Sequence, residues 1–208
     1  ATDPGFAPQI KNVVSAWEDI FDSWVRQLRL VPALYSNNAY NDDYQPGFYN
    51  HLSGVFAAAE LQQWIANLPN GGRNSHNAVG NITPDTVPGP NVLDISIFRN
   101  PNDASQFFKF AAPNSPPYMP LSLGDSGQSM MSVTQTQYFF LNQWHNKKFT
   151  AEAPALGPGE ALDQNTLLNC LGARFSPGID VTFIVRLPDL YMQNWEGSGT
   201  GPFRINAV

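Results

Sequence analysis

The stretch Leu167-Leu168-Asn169-Cys170-Leu171-Gly172-Ala173-Arg174-Phe175-Ser176-Pro177-Gly178-Ile179-Asp180 reads as a helix end, a turn and the start of a strand. Residues 162–171 read as a short helix, with Asp163 near its start and Gly172 as its C-terminal stop. Pro177-Gly178 makes a turn, and residues 179–186 alternate apolar and polar side chains as a half-buried strand does. The lone cysteine of the chain, Cys170, falls at this junction, so no disulfide can form within the chain. A single Cys is most often a small buried hydrophobe. Here Gly172 permits close backbone approach, and Arg174 would favour thiolate character if it lay near.

Working outward, residues 134–147 read as a helix with Thr134 as N-cap, and Tyr138, Leu141 and Trp144, or Phe140 and Trp144, share a face. Residues 154–159 read as a tight loop, and 162–171 as a short helix. Residues 8–31 carry Val13, Val14, Trp17, Ile20, Phe21, Trp24, Val25 and Leu28 at three- and four-residue steps, an amphipathic helix stopped by Pro32. A Tyr-, Asn- and Asp-rich loop is expected over 35–49. A second helix is expected over 53–68, with Val55, Phe56, Ala59, Trp64, Ile65 and Leu68 on its buried side and Pro69-Asn70-Gly71-Gly72 as its end. Residues 70–91 look like a long surface excursion, 92–99 are strand-like, Pro101 opens a short helix ending at Phe107, Phe108 and Phe110, and 113–127 form a Pro/Gly/Ser loop. The expected fold is mainly α, with long irregular loops and a few short β-strands. It forms a single compact domain over 1–208, with a helical part at 1–70 and a motif-bearing part at 90–208.

Composition bounds the function classes. The 208 residues include 42% hydrophobic and 12% aromatic residues but only 13% charged ones, enough apolar surface for a core. The net charge is −6, and the Lys and Arg residues form no run longer than Lys147-Lys148, which excludes a nucleic-acid footprint. No apolar run reaches the length of a membrane span. Asn81-Ile82-Thr83 is a sequon, a pattern that also arises by chance. His51, His76 and His145 have no ligand spacing and read as three partly exposed polar residues; Asp42-Asp43 reads as a solvated turn. Phosphate-loop and nucleophile-elbow signatures are missing.

Taken in order, several motifs resemble the LodA-like family, the lysine ε-oxidases and glycine oxidases whose cofactor is cysteine tryptophylquinone. Leu162, Leu167, Cys170, Gly172, Phe175, Pro177, Gly178, Ile179 and Asp180 match the family's cysteine motif in sequence. Phe98-Arg99-Asn100-Pro101, Met119-Pro120-Leu121 with Gly124-Asp125, Thr136-Gln137-Tyr138 with Leu141, Trp144 and Phe149, and Gly201-Pro202-Phe203-Arg204-Ile205 follow the family order. The resemblance implies that Cys170 is the thioether cysteine. The family's modified Trp lies beyond the Phe-Arg-Ile segment, whereas Trp195 precedes it here, so the sequence points away from a working cysteine tryptophylquinone unless another Trp is recruited or the chain is part of a longer protein. Three readings follow. The first is a small-molecule or pigment-binding protein on a shortened oxidase scaffold, holding an indole-derived chromophore of indolone type, covalently or not, at Cys170. A small fungal chromoprotein would suit the size and acidity. Arg174, Phe175, Trp195, Trp144, Tyr138 and Asp125 are its candidate ligand-binding residues, the partner is a small aromatic ligand, and a homo-oligomer is compatible. The second is an amino-acid or amine oxidase using Cys170 with a relocated Trp195 or Trp144 and releasing peroxide. The third is a structural or storage protein that kept the fold and lost the chemistry.

Overall fold

The structure is a computed structural model that describes residues 14–65, 70–88, 98, 100–102, 133–152, 157–168, 174–176 and 179–180. Helix α1 (Ala16–Arg26) opens on a capping box: Ser15 Oγ accepts the Glu18 N–H at 3.3 Å, and the Ser15 N–H donates back to Glu18 Oε2 at 2.8 Å. Glu18 and Asp19 in the first turn and Arg26 in the last complement the helix dipole. The face it buries matches the expected one only in part: Val14, just before the helix, and Val25 are buried as the pattern implied. Ala16, Asp19, Ser23 and Val25 are buried, whereas Trp17, Ile20, Phe21, Trp24 and Leu28 are half-buried. The helices Gln135–His145 and Pro158–Leu168 both pack against α1, so the apolar stripe alone does not choose its inner side. The helix ends earlier than expected, because the Gln27 and Leu28 N–H groups both turn back to the Ser23 carbonyl and Arg29 enters the left-handed region at φ 57.

The expected loop over 35–49 contains regular structure. Strands β1 (Tyr35–Ser36) and β2 (Ala39–Tyr40) pair antiparallel around Asn37 (φ 52) and Asn38 (φ 62). A two-residue turn with both positions left-handed matches the twist of the strands, and Asn tolerates that conformation best after Gly. A π-helical turn (Phe48–Leu52) then runs directly into α2 (Ser53–Ile65). Val55, Phe56 and Ala59 are buried as expected, but Trp64 is 77% exposed, a correction to its assignment to the inner face.

Asn70-Gly71-Gly72 does not open a surface excursion: α3 (Asn70–Gly80) begins there. Its Gly and Asn content is poor for a helix in isolation. Packing on α2 overrides that, through fully buried His76, whose Nδ1 lies 2.6 Å from the Ala59 carbonyl, and buried Val79. Gly80 allows close approach, since a Cβ there would crowd the Glu60 side chain.

Helix α4 (Gln135–His145) has the expected Thr134 cap, closed by a capping box with Gln137. Its inner face holds Phe140, Leu141 and Trp144, which join Val25, Leu34, Phe48, Leu52, Val55 and Phe56 in the core. Helix α5 (Pro158–Leu168) starts inside the expected 154–159 loop, because Pro158 takes the first helical position, where its missing N–H costs nothing. Strands β3 (Arg174–Ser176) and β4 (Ile179–Asp180) pair antiparallel with a register shift between Arg174 and Ser176. The mainly helical class with short strands is therefore the observed one. The strand expected at 92–99, the helix after Pro101 and the 113–127 loop lie outside the described residues, apart from Phe98, buried beside Phe56, and residues 100–102. Among the described residues no helix is long and apolar enough to cross a membrane.

Asp22 fastens α1 to α4. Its Oδ1 accepts the Thr136 backbone N–H at 3.0 Å and the Thr136 hydroxyl at 2.7 Å, and its Oδ2 accepts from Arg26 at 3.1 Å. Asp22→Ala should lower stability to urea unfolding by about 2–4 kcal/mol, since it orphans helix-terminal donors as well as deleting a charge-assisted bond. Arg26→Met, which touches only the partly exposed pair, should cost less than about 1 kcal/mol. Equal effects would contradict the cap.

Candidate functional site

The described residues place an aromatic cluster where α1, the π-turn and α4 meet. His51 lies on the π-turn with its ring centroid 5.7 Å from Phe21 of α1 and 4.6 Å from Phe140 of α4. Trp17 stacks on Phe21 at 6.3 Å, and Tyr44 stacks on Phe140 at 6.0 Å. The Gly47 N–H donates to His51 Nδ1 at 3.2 Å. Gly47 is in turn held in a parallel bridge to Thr150, flanked by Phe48 N–H to Thr150 O at 2.8 Å and Thr150 N–H to Pro46 O at 3.0 Å. An imidazole that accepts at Nδ1 carries its neutral-state proton on Nε2. Burial pushes the His51 pKa down to about 4, so the ring is neutral at pH 7. Burial also raises the Tyr44 phenol.

On the other side of α4, Tyr40 stacks on Phe139 at 4.6 Å, and its hydroxyl lies 3.0 Å from Thr136 Oγ1. Thr136 gives its own proton to Asp22, so the Tyr40 hydroxyl donates to Thr136. Burial, ahead of the opposing Thr136 bond, raises the Tyr40 pKa. Glu18 is likewise raised by burial against the lowering bonds from Ser15. Gln143 Nε2 donates to the Asp42 and Tyr44 carbonyls at 2.9 and 2.6 Å, which holds the segment leading to Gly47 against α4. Asp42 and Asp43 themselves are exposed, as the sequence implied.

The candidate residues named from the sequence are distributed as follows. Trp144 is fully enclosed on α4, edge-on to Phe56 at 5.1 Å, and its Nε1 has no acceptor among the described residues. Tyr138, on the same helix, is half-buried at the margin of the core. Arg174 and Phe175 are adjacent on β3. Cys170, Asp125 and Trp195 lie outside the described residues, Cys170 between α5 and β3 in sequence. Of the histidines, His145 is exposed and His51 half-buried, but His76 is wholly buried, a correction to its reading as a partly exposed residue. Sequence reasoning missed His51 as a site residue because its bonded partner is a backbone N–H, which leaves no spacing signature. Among the described residues no group of three His, Cys, Asp or Glu could hold a metal ion.

Residues 119–208 match the sequence profile of the L-lysine epsilon oxidase C-terminal domain, and the chain resembles the C-terminal region of the LodA-like family. The L-lysine 6-oxidase of Marinomonas mediterranea is 23% identical over 225 aligned residues, covering 93% of this chain and 30% of that protein. The solved structure of the epsilon-lysine oxidase from Marinomonas mediterranea superposes with a TM-score of 0.66 at 21% identity, over 94% of this chain and 33% of its own. The structure of that enzyme's Schiff base intermediate with L-Lys gives 0.69 at 22% identity, over 100% of this chain and 33% of its own. The chain thus has the fold of this oxidase region and spans about a third of the length of these relatives.

These likenesses overturn the first reading of the sequence. The expectation of a small fungal pigment protein drew on the lack of a Trp beyond the Phe-Arg-Ile segment and on size and acidity, whereas likeness to a bacterial L-lysine oxidase extends over 93% of the chain. The alternative of an oxidase is the better supported one.

Two outcomes test the cluster. His51 titrates near 6.5 when unfolded and near 4 when folded, so the fold favours the neutral ring. This contribution is fully present above pH 6.5 and is lost as pH falls from 6.5 toward 4, by roughly 3 kcal/mol at most. Unfolding of His51→Phe should therefore lose less stability between those limits than the parent; parallel curves would contradict the neutral ring. Trp144→Phe, which removes a buried N–H that has no acceptor among the described residues, should cost much less than Trp144→Ala, for which about 3–5 kcal/mol is expected.

Proposed function

We propose that this chain carries the chemistry-bearing region of an amino-acid oxidase that acts on a primary amine such as that of L-lysine and releases peroxide. The observation that carries this reading is the profile match over 119–208, which contains Cys170 and its motif in order. In such a reaction two electrons and a proton leave the carbon bearing the amine, and a second proton leaves the ammonium nitrogen. Water displaces ammonia to leave an aldehyde, and dioxygen takes two electrons and two protons to become peroxide.

Cys170 takes the position of the cofactor cysteine in this reading. A cysteine-linked tryptophylquinone would supply a carbonyl electrophile for the amine. Of the groups such a cofactor needs, Cys170 offers the thiol, and Trp144 is an enclosed indole whose N–H has no acceptor among the described residues. What the described residues contribute is a water-poor aromatic interior around α4, fixed at its start by Asp22 and near its end by Gln143. Helix α5, which leads to Cys170, packs on the same α1 that carries Asp22.

Peroxide release by protein from its natural source, with L-lysine and other amino acids as substrates, tests the reading. Cys170→Ala should lower the rate by at least about 100-fold, the scale of losing a covalent catalyst rather than a packing contact. An unchanged rate in that variant would overturn the assignment of Cys170, and absence of peroxide with every amino acid would overturn the oxidase.

A further inference from the structure

We propose that His51 is a ligand-binding residue whose Nε2–H donates to an uncharged carbonyl oxygen, the apolar body of that ligand resting against the rings of Phe21 and Phe140. The inference goes beyond the oxidase reading and does not require it. Four observations carry it. His51 lies in a π-helical turn, a wider and rarer arrangement than the α-helix it runs into, and such turns recur at functional sites. Its tautomer is fixed, because Nδ1 is occupied by the Gly47 N–H. Its orientation is fixed as well, because Gly47 is anchored by the Thr150 bridge and the ring is flanked by Phe21 and Phe140. Finally, the ring is half-buried rather than enclosed, and among the described residues none accepts from Nε2.

The chemical class follows by elimination. An ammonium group has only donors and offers nothing to an N–H. A carboxylate could accept, but setting its charge against the Phe21 and Phe140 rings would strip it of hydration without a cationic partner from the described neighbours of His51. A neutral carbonyl oxygen accepts without bringing charge into an aromatic surrounding, and the flanking rings provide apolar contact for what is attached to it.

The experiment is a proton–nitrogen correlation spectrum of the His51 imidazole at pH 7 during titration with three probes of the same body: phenylacetamide, phenylacetate and phenethylammonium. Phenylacetamide should shift the His51 Nε2–H resonances in a saturable way, phenylacetate should do so at least roughly tenfold more weakly, and phenethylammonium should leave them in place. His51→Gln, which keeps a side-chain N–H donor, should retain part of the phenylacetamide affinity, and His51→Phe should lose it at least roughly tenfold. Unmoved His51 resonances with phenylacetamide, or equal shifts with phenylacetate, would overturn the proposal. The titration of the parent protein needs no variant to fold, and peroxide release is a separate readout, so failure here leaves the oxidase reading standing.

Discussion

A carboxylate on one helix closes the open end of another. Thr136 stands in the first turn of α4, where backbone N–H groups have no partner within the helix. Asp22 supplies that partner from 114 residues away and takes the Thr136 hydroxyl as well. With its Oδ1 filled by Thr136 and its Oδ2 by Arg26, the carboxylate is a hub that joins the first helix to the second half of the chain. Much else hangs from it. Tyr40 reaches Thr136, which positions the Asn37-Asn38 hairpin, and Tyr40 stacks on Phe139 one turn along α4. At the far end of α4, Gln143 holds the Asp42 and Tyr44 carbonyls, so the segment that enters the π-turn follows the same helix. Phe140, Leu141 and Trp144 are thereby turned into the core.

Part of this was legible in the sequence because it rests on local rules. The Thr134 cap, the helix through Trp144 and the buried Val55, Phe56 and Ala59 follow from capping chemistry and a 3.6-residue period. What was not legible depends on tertiary contacts. The inward turn of Asp19 and Ser23 on α1 opposes the apolar pattern of Trp17, Ile20 and Trp24, because two other helices pack against that helix. Helix α3 is written in Gly, Asn and Ser, which signal a loop, and it is helical because His76 and Val79 find a surface on α2. Asn37-Asn38 and Pro158 did carry readable signals, the first for a left-handed two-residue turn and the second for a first helical position.

The site divides in the same way. Cys170 stands out through the order of its neighbours, and the motifs over 119–208 place the chain beside the lysine oxidases. The lack of a Trp beyond the Phe-Arg-Ile segment, with size and acidity, pulled the functional reading toward a pigment protein, and likeness across nearly the whole chain pulls it back. His51 could not be singled out by composition or spacing, since what sets it apart is a bond to the Gly47 backbone inside an aromatic surround. Buried Trp144 was identifiable as a core or site residue, and the structure adds that its N–H is enclosed without an acceptor among the described residues.

The central functional claim rests on the chemical state of one sulfur. Peptide mapping by mass spectrometry of protein from its natural source, treated with iodoacetamide after denaturation, reads that state directly. The account predicts that the Cys170 peptide resists alkylation and is recovered with added mass on its sulfur. A Cys170 peptide of unmodified mass that takes up one alkyl group would contradict it.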